Sequence, residues 1–207
     1  MFALVDKSDN SITRMLNGNR GITIGDNQYP RAIFSLWSEA ERNAINIYTV
    51  TIDNSKKKDE KWYINTNITY SFDGTNATGS YGDATAKAHA DTTWTQQQID
   101  DGDAPDGADT DTVAVEGLKT KLIRTVKAQA EGELNRTDWY ITRKAEKNTA
   151  IPSAITTHRD AVRTKQDSMC TAITNASDTP ALETLYTYTE QEDGSVTRPL
   201  GELPTLE

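Results

Sequence analysis

From Val115 onward, the apolar residues Val115, Leu118, Leu122, Val126, Ala130 and Leu134 return at intervals of three and four, and this spacing constrains the chain more than any other feature. Residues so spaced share one face of an α-helix, and such a face must be buried. Lys119, Lys121, Arg124 and Lys127 fall off the stripe. Gly132 is a weak point where the helix can bend, since glycine costs about 1 kcal/mol against alanine in a helix interior. Thr137 or Asp138 can cap a second, short helix in which Trp139, Tyr140 and Arg143 lie within a turn of one another, so that the guanidinium can lie over an aromatic face. Lys147-Asn148-Thr149 contains the weak helix formers Asn148 and Thr149, and Pro152 suits the first turn of a new helix better than an interior. Beyond it Ile155, His158, Val162, Met169 and Ile173 form another stripe, interrupted by Lys165. Two amphipathic helices joined by a short element predict an antiparallel pair.

The order of these features is a basic amphipathic helix, then Thr137-Asp138-Trp139-Tyr140 with Arg143 and Glu146 just after, then Pro152, then an amphipathic helix holding Arg159 and Arg163. Over roughly residues 118–173 it resembles the C-terminal segment of bacteriophage tail-associated proteins, described as tail fibre or tail assembly (chaperone-like) proteins. The run Tyr29-Pro30, Ile33-Phe34, Leu36-Trp37-Ser38, Glu41-Arg42 and Ile47-Tyr48 also resembles the opening of small proteins encoded among marine phage structural genes. The resemblance implies a virion structural protein, tail-associated, assembled in the host cytoplasm. It implies contacts with other phage structural proteins (tail, fibre or portal-proximal) and self-association in several copies. A chaperone absent from the finished particle is the alternative. Aromatic and arginine residues are enriched at binding hot spots, which makes Trp139, Tyr140, Arg143, Arg159 and Arg163 the candidate partner-binding residues. The simpler reading has Trp139 plugging the gap between helices, with Arg143 and Arg159 pairing with Glu146 or Asp160 on the surface.

Charge separates the regions. The net charge is −9, yet residues 113–175 hold 11 Lys and Arg against 7 Asp and Glu, whereas residues 176–207 hold 1 against 7. A basic middle between acidic flanks suits an acidic partner or the chain's own acidic parts, and equally a set of solvated helix faces. The net negative charge makes nucleic acid a poor partner, because phosphate binding is driven by cationic surface. No apolar run approaches the roughly 20 residues that span a bilayer, so no membrane association is expected. The opening residues lack both a basic start and a sufficient apolar run, and no secretory leader is expected.

The N-terminal part reads as strands. Phe2–Val5 and Ile12–Leu16 flank a polar turn, as in a hairpin, and Gly21–Gly25 suits a third short strand. Ser38-Glu39-Ala40-Glu41 fits a capping box ahead of a short helix to about Asn46. Ile47–Ile52 and Ile64–Phe72 alternate apolar with polar residues, predicting two longer strands around the turn Lys56–Glu60. Trp37, Tyr48, Trp62, Tyr63 and Tyr70 are either core and cross-strand pairs or a sugar-binding platform, which would make the chain a host-glycan-binding module.

The fold class expected is therefore α+β. It comprises a small antiparallel β domain with a short helix at 1–99, an acidic linker at 100–112, a helical hairpin module at 113–176 and an extended acidic arm at 177–207. In the linker, Asp100, Asp101, Asp103, Asp106, Asp109 and Asp111 either repel one another as a solvated tether or offer oxygens to calcium. An EF-hand is excluded, since the twelfth position from Asp100 or Asp101 is Asp111 or Thr112 instead of glutamate. In the arm, Ser177-Asp178-Thr179-Pro180 can start one helical turn through Leu185, and Leu200, Leu203 and Leu206 either lie in a neighbour's groove or belong to a disordered tail. His89 and His158 have no Cys, Glu or His at metal-ligand spacing, and no phosphate loop or nucleophile elbow occurs. The single Cys170, beside Met169, reads as a packed thiol. No enzyme, cofactor or metal is expected.

Overall fold

The computed structural model describes residues 1–206, and the last residue of the expected arm, Glu207, lies outside them. The protein is mixed α+β, with a sheet near the N-terminus and helices later. It divides into two compact units, Met1–Thr85 and Ala86–Glu207.

In the first unit, β1 (Phe2–Asp6) and β2 (Ser11–Leu16) form the hairpin that the polar turn predicts. The Asp6 carboxylate accepts the Ser8 N–H at 2.8 Å, and Asp9 accepts that of Ser11 at 2.9 Å, so the turn is held by its own carboxylates. β1 is apolar at consecutive positions because it is covered on both faces. Ala3 and Val5 join Tyr48, Val50, Phe72 and Ala77 in one cluster. Phe2 and Leu4 pack against a second, built on Ile22, Ile33 and Ile47. This second cluster is fed by the hairpin of β3 (Ile22–Ile24) and β4 (Asn27–Tyr29) and by α1 (Ile33–Leu36). α2 (Glu39–Ala44) begins with the capping box: the Ser38 N–H donates to the Glu41 carboxylate at 2.7 Å, and the Glu41 N–H donates to the Ser38 hydroxyl at 3.3 Å.

The sheet itself departs from expectation. β5 (Ile47–Asp53) forms, but the stretch predicted as one strand over Ile64–Phe72 breaks into β6 (Tyr63–Ile64) and β7 (Thr69–Phe72). Between them Asn65 turns its amide to the lysine loop, accepting from the Lys58 N–H at 2.9 Å and donating to the Lys58 carbonyl at 2.8 Å. β8 (Ala77–Ser80) then inserts between β5 and β7, giving the order β2-β1-β5-β8-β7. It runs parallel to β5 and antiparallel to β7, so the sheet is not wholly antiparallel. Gly79 permits the insertion, because a Cβ there would lie 2.8 Å from the Tyr70 ring and 2.9 Å from Ile52 Cδ1. The end strands β2 and β7 approach each other, so the sheet curves back on itself around the Tyr48–Phe72 ring pair. Of the five aromatics, Tyr48, Trp62 and Tyr63 are buried, while Trp37 and Tyr70 are half-buried against the two apolar clusters.

The expected boundary at residues 100–112 also shifts. The division falls within β9 (Thr85–Ala86). In the second unit β10 (Thr92–Thr93) pairs with β11 (Val113–Val115), and α3 (Gln96–Asp100) and the acidic stretch close the connection between these two strands. The stretch is thus an internal loop instead of a tether between domains. Val115 lies in β11 and is exposed, so it does not start the helical stripe.

α4 (Leu118–Asn135) buries Leu122, Val126 and Ala130, and continues without interruption through Gly132. α5 (Asp138–Lys147) follows, ended by Asn148 at φ 50°. α6 (Ser153–Asn175) starts after Pro152 and buries Ile155, His158, Val162, Met169 and Ile173, the residues of its predicted stripe, together with Arg159. α4 and α6 run antiparallel: Lys119 Nζ donates to the Thr174 carbonyl at 2.8 Å at one end, and Arg159 donates to the Leu134 carbonyl at 2.8 Å at the other.

Beyond Ala176 the chain is folded where an extended arm was expected. The Asp178 carboxylate caps α7 (Thr179–Tyr186) by accepting the Ala181 N–H at 2.8 Å, and the Thr179 hydroxyl donates to the Lys87 carbonyl at 2.6 Å. β12 (Thr189–Glu190) and β13 (Val196–Thr197) then form a small hairpin. Leu200 is buried, with its N–H bonded to the Leu185 carbonyl at 3.0 Å. Arg198 lies over the rings of Tyr186 and Tyr188 and bonds Glu202 at 2.7 Å. Apolar burial and this clasp, neither visible as a local pattern, fold the segment back.

Candidate functional site

α5 places Trp139, Tyr140 and Arg143 together, as their spacing predicts. The Trp139 and Tyr140 ring centroids are 3.8 Å apart, and the Arg143 guanidinium carbon lies 4.7 Å from the first ring and 5.3 Å from the second. Trp139 stays 51% exposed, and its neighbour Ile141 is exposed too. Lys144 and Lys147 occupy the last turn, where cations complement the helix dipole. An exposed indole held by a guanidinium is a contact group ordered in advance, so little rotamer freedom remains to be lost on binding.

The other two candidates stand apart from this cluster. Arg159 is only 8% exposed. Its guanidinium donates to the Leu134 carbonyl at 2.8 Å and to the Thr137 hydroxyl at 2.7 Å, and it meets the Asp138 carboxylate at 2.8 Å. Buried, and with Nη1 making all three of these contacts, it pins α6 to the junction of α4 and α5 and does not stand open to a partner. Arg163 is exposed and pairs with Asp160 at 3.2 Å within its own helix. Thr137 stands at the N-cap of α5 but makes no capping bond. Its buried hydroxyl instead donates to the Leu134 carbonyl at 2.9 Å while accepting from Arg159. Sequence reasoning missed this role, because a threonine before Asp-Trp reads as a cap and Arg159 is distant along the chain.

Burial pushes the Cys170 thiol above its ordinary range, which suppresses the nucleophilic thiolate. His158 is buried on the helix-packing face. Among the described residues no three His, Cys, Asp or Glu side chains converge into a metal-holding group. In the acidic loop, Asp100 and Asp101 each accept from a glutamine amide at 2.8 Å, and Asp109 accepts from the Thr112 hydroxyl at 2.7 Å. No helix among the described residues is long and apolar enough to cross a membrane. No protein-family model, curated protein or solved structure matches this chain.

Proposed function

We propose that this chain is a bacteriophage virion structural protein, tail-associated and fibre- or adaptor-like, which acts through protein–protein contacts within the particle. The observation that carries the reading is the half-exposed Trp139–Tyr140–Arg143 stack on α5, in the stretch that resembles phage tail proteins. In this reading the α4–α6 pair is a helical hairpin module that presents α5, and the folded C-terminal segment is the arm that braces it. The partners are other phage structural proteins, and the working location is the virion. A single aromatic at the centre of an interface commonly carries about 2 kcal/mol or more of binding energy.

The reading is tested by quantifying the chain in purified particles and in the infected-cell lysate. A fixed ratio to tail or capsid proteins is the expected result, with cross-links from Lys119, Lys121 or Lys144 identifying the neighbour. Abundance in the lysate with absence from particles would replace the structural role by an assembly chaperone. Trp139→Ala is expected to reduce incorporation at least about tenfold while leaving the circular dichroism of the chain unchanged, since the indole is exposed.

A further inference from the structure

The chain has ten arginines. Arg42, Arg124, Arg136, Arg143, Arg159, Arg163 and Arg198 are each engaged by a carboxylate, a backbone carbonyl or an aromatic ring. The remaining three, Arg14, Arg20 and Arg31, are exposed and make no ion pair, side-chain hydrogen bond or ring contact among the described residues. These three line one open groove. Arg14 and Arg20 border a cavity of about 790 Å³, Arg31 borders an adjoining one of about 440 Å³, and the two share Asn17, Gly18 and Phe34. The loop can lie this close because Gly18 takes φ 72° and a Cβ there would sit 3.1 Å from the Phe2 ring and 3.2 Å from Phe34 Cβ. Met15, Leu16 and Phe34 contribute apolar walls. Between residues 10 and 38 the only acidic residue is Asp26, so the groove is cationic in a chain of net charge −9.

The complementary surface is the loop over Asp100–Asp111. None of its six aspartates meets a cation among the described residues, and those that are bonded take neutral donors. Asp103-Ala104-Pro105-Asp106 puts a small apolar pair between two carboxylates, which suits a groove with charged rims and apolar walls. Guanidinium forks bind carboxylates in bidentate fashion.

We propose that the Arg14–Arg20–Arg31 groove receives the Asp100–Asp111 loop of a second copy, so that copies join head to tail. Two different surfaces meet in such a contact, which closes into a ring or extends as a filament according to the rotation it imposes. The contact uses none of the α5 residues and needs no other protein, so it stands or falls independently of the function proposed above.

The test is sedimentation velocity of the full chain at ionic strengths of about 0.05 M and about 0.5 M, between which the screening length falls from above about 10 Å to about 4 Å. Oligomers at low salt that dissociate to monomers at high salt are expected. The groove variant R14E/R20E/R31E and the loop variant D103K/D106K/D111K should each associate at least about tenfold more weakly, with unchanged circular dichroism. The two sets combined in one chain should restore association. Cross-links in a mixture of isotope-labelled and unlabelled chains should join different copies. A monomer at both ionic strengths, association indifferent to either reversal, no restoration in the combined variant, or cross-links confined to single chains would overturn the proposal.

Discussion

Arg159 holds three acceptors from two helices with one guanidinium, and its value lies in what its loss would leave behind. Arg159→Ala strands the buried Thr137 hydroxyl and the Leu134 carbonyl and removes the partner of Asp138. Breaking a buried charged network is strongly destabilising, here about 2–3 kcal/mol because Asp138 is half exposed. Urea unfolding measures the loss. Arg159→Lys should recover only part of it, since the shorter lysine side chain carries its ammonium short of the Nη1 position from which all three contacts are made. Arg163→Ala, which removes an exposed pair, should change stability by less than about 0.5 kcal/mol. Asp91 is the corresponding tether ahead of α4. Its carboxylate accepts the Gly117 N–H at 2.6 Å and the Thr120 hydroxyl at 2.7 Å, and these bonds, the first foremost, hold its carboxyl below the ordinary 3.8. A group whose pKa is depressed on folding stabilises the fold above its unfolded value, and that contribution is lost as pH falls through the folded value. The stability difference between the native chain and Asp91→Asn is therefore expected to be full near neutral pH and to shrink below about pH 4, as followed by denaturant midpoints.

At the scale of elements, glycines decide two placements. Gly79→Val would drive a side chain into Tyr70 and Ile52, and is expected to destabilise the first unit by about 2 kcal/mol through overpacking. Gly117 begins α4 against the backbone of Ala90. Backbone cannot move aside as a side-chain tip can, so Gly117→Ala should lower the thermal midpoint of the second unit, whereas Gly132→Ala, at an open site inside α4, should raise it. The helices were legible because their signals are local: Leu122, Val126 and Ala130 on α4 and Ile155 through Ile173 on α6 recur at the helical period and are the residues buried. Ser38 and Glu41 satisfy one another across three residues, which makes the capping box equally legible. β8 was not, because Ala-Thr-Gly-Ser has weak strand propensity and is a strand only through its two neighbours.

Across the whole molecule, two units with their own internal contacts replace the expected four-part chain. A chain of residues 1–85 alone is expected to unfold cooperatively in denaturant, because both of its apolar clusters lie within that range. A broad, non-cooperative transition would show that the clusters require the rest of the chain. Of the candidate contact surface, the grouping of Trp139, Tyr140 and Arg143 could be read from spacing within one helix. The burial of Arg159 could not, because its partners Leu134, Thr137 and Asp138 come from elements more than twenty residues earlier. The sequence by itself determined α2, α4, α5 and α6, the first hairpin and the polar turns, since periodicity, caps and turn residues act over a few positions. Tertiary structure decided the order of strands around β8, the enclosure of the acidic loop in the second unit, and the folding of Leu200 and Arg198 back against α7 and its flank. Each of these depends on which distant surfaces exclude water together, and that is a property of the assembled chain.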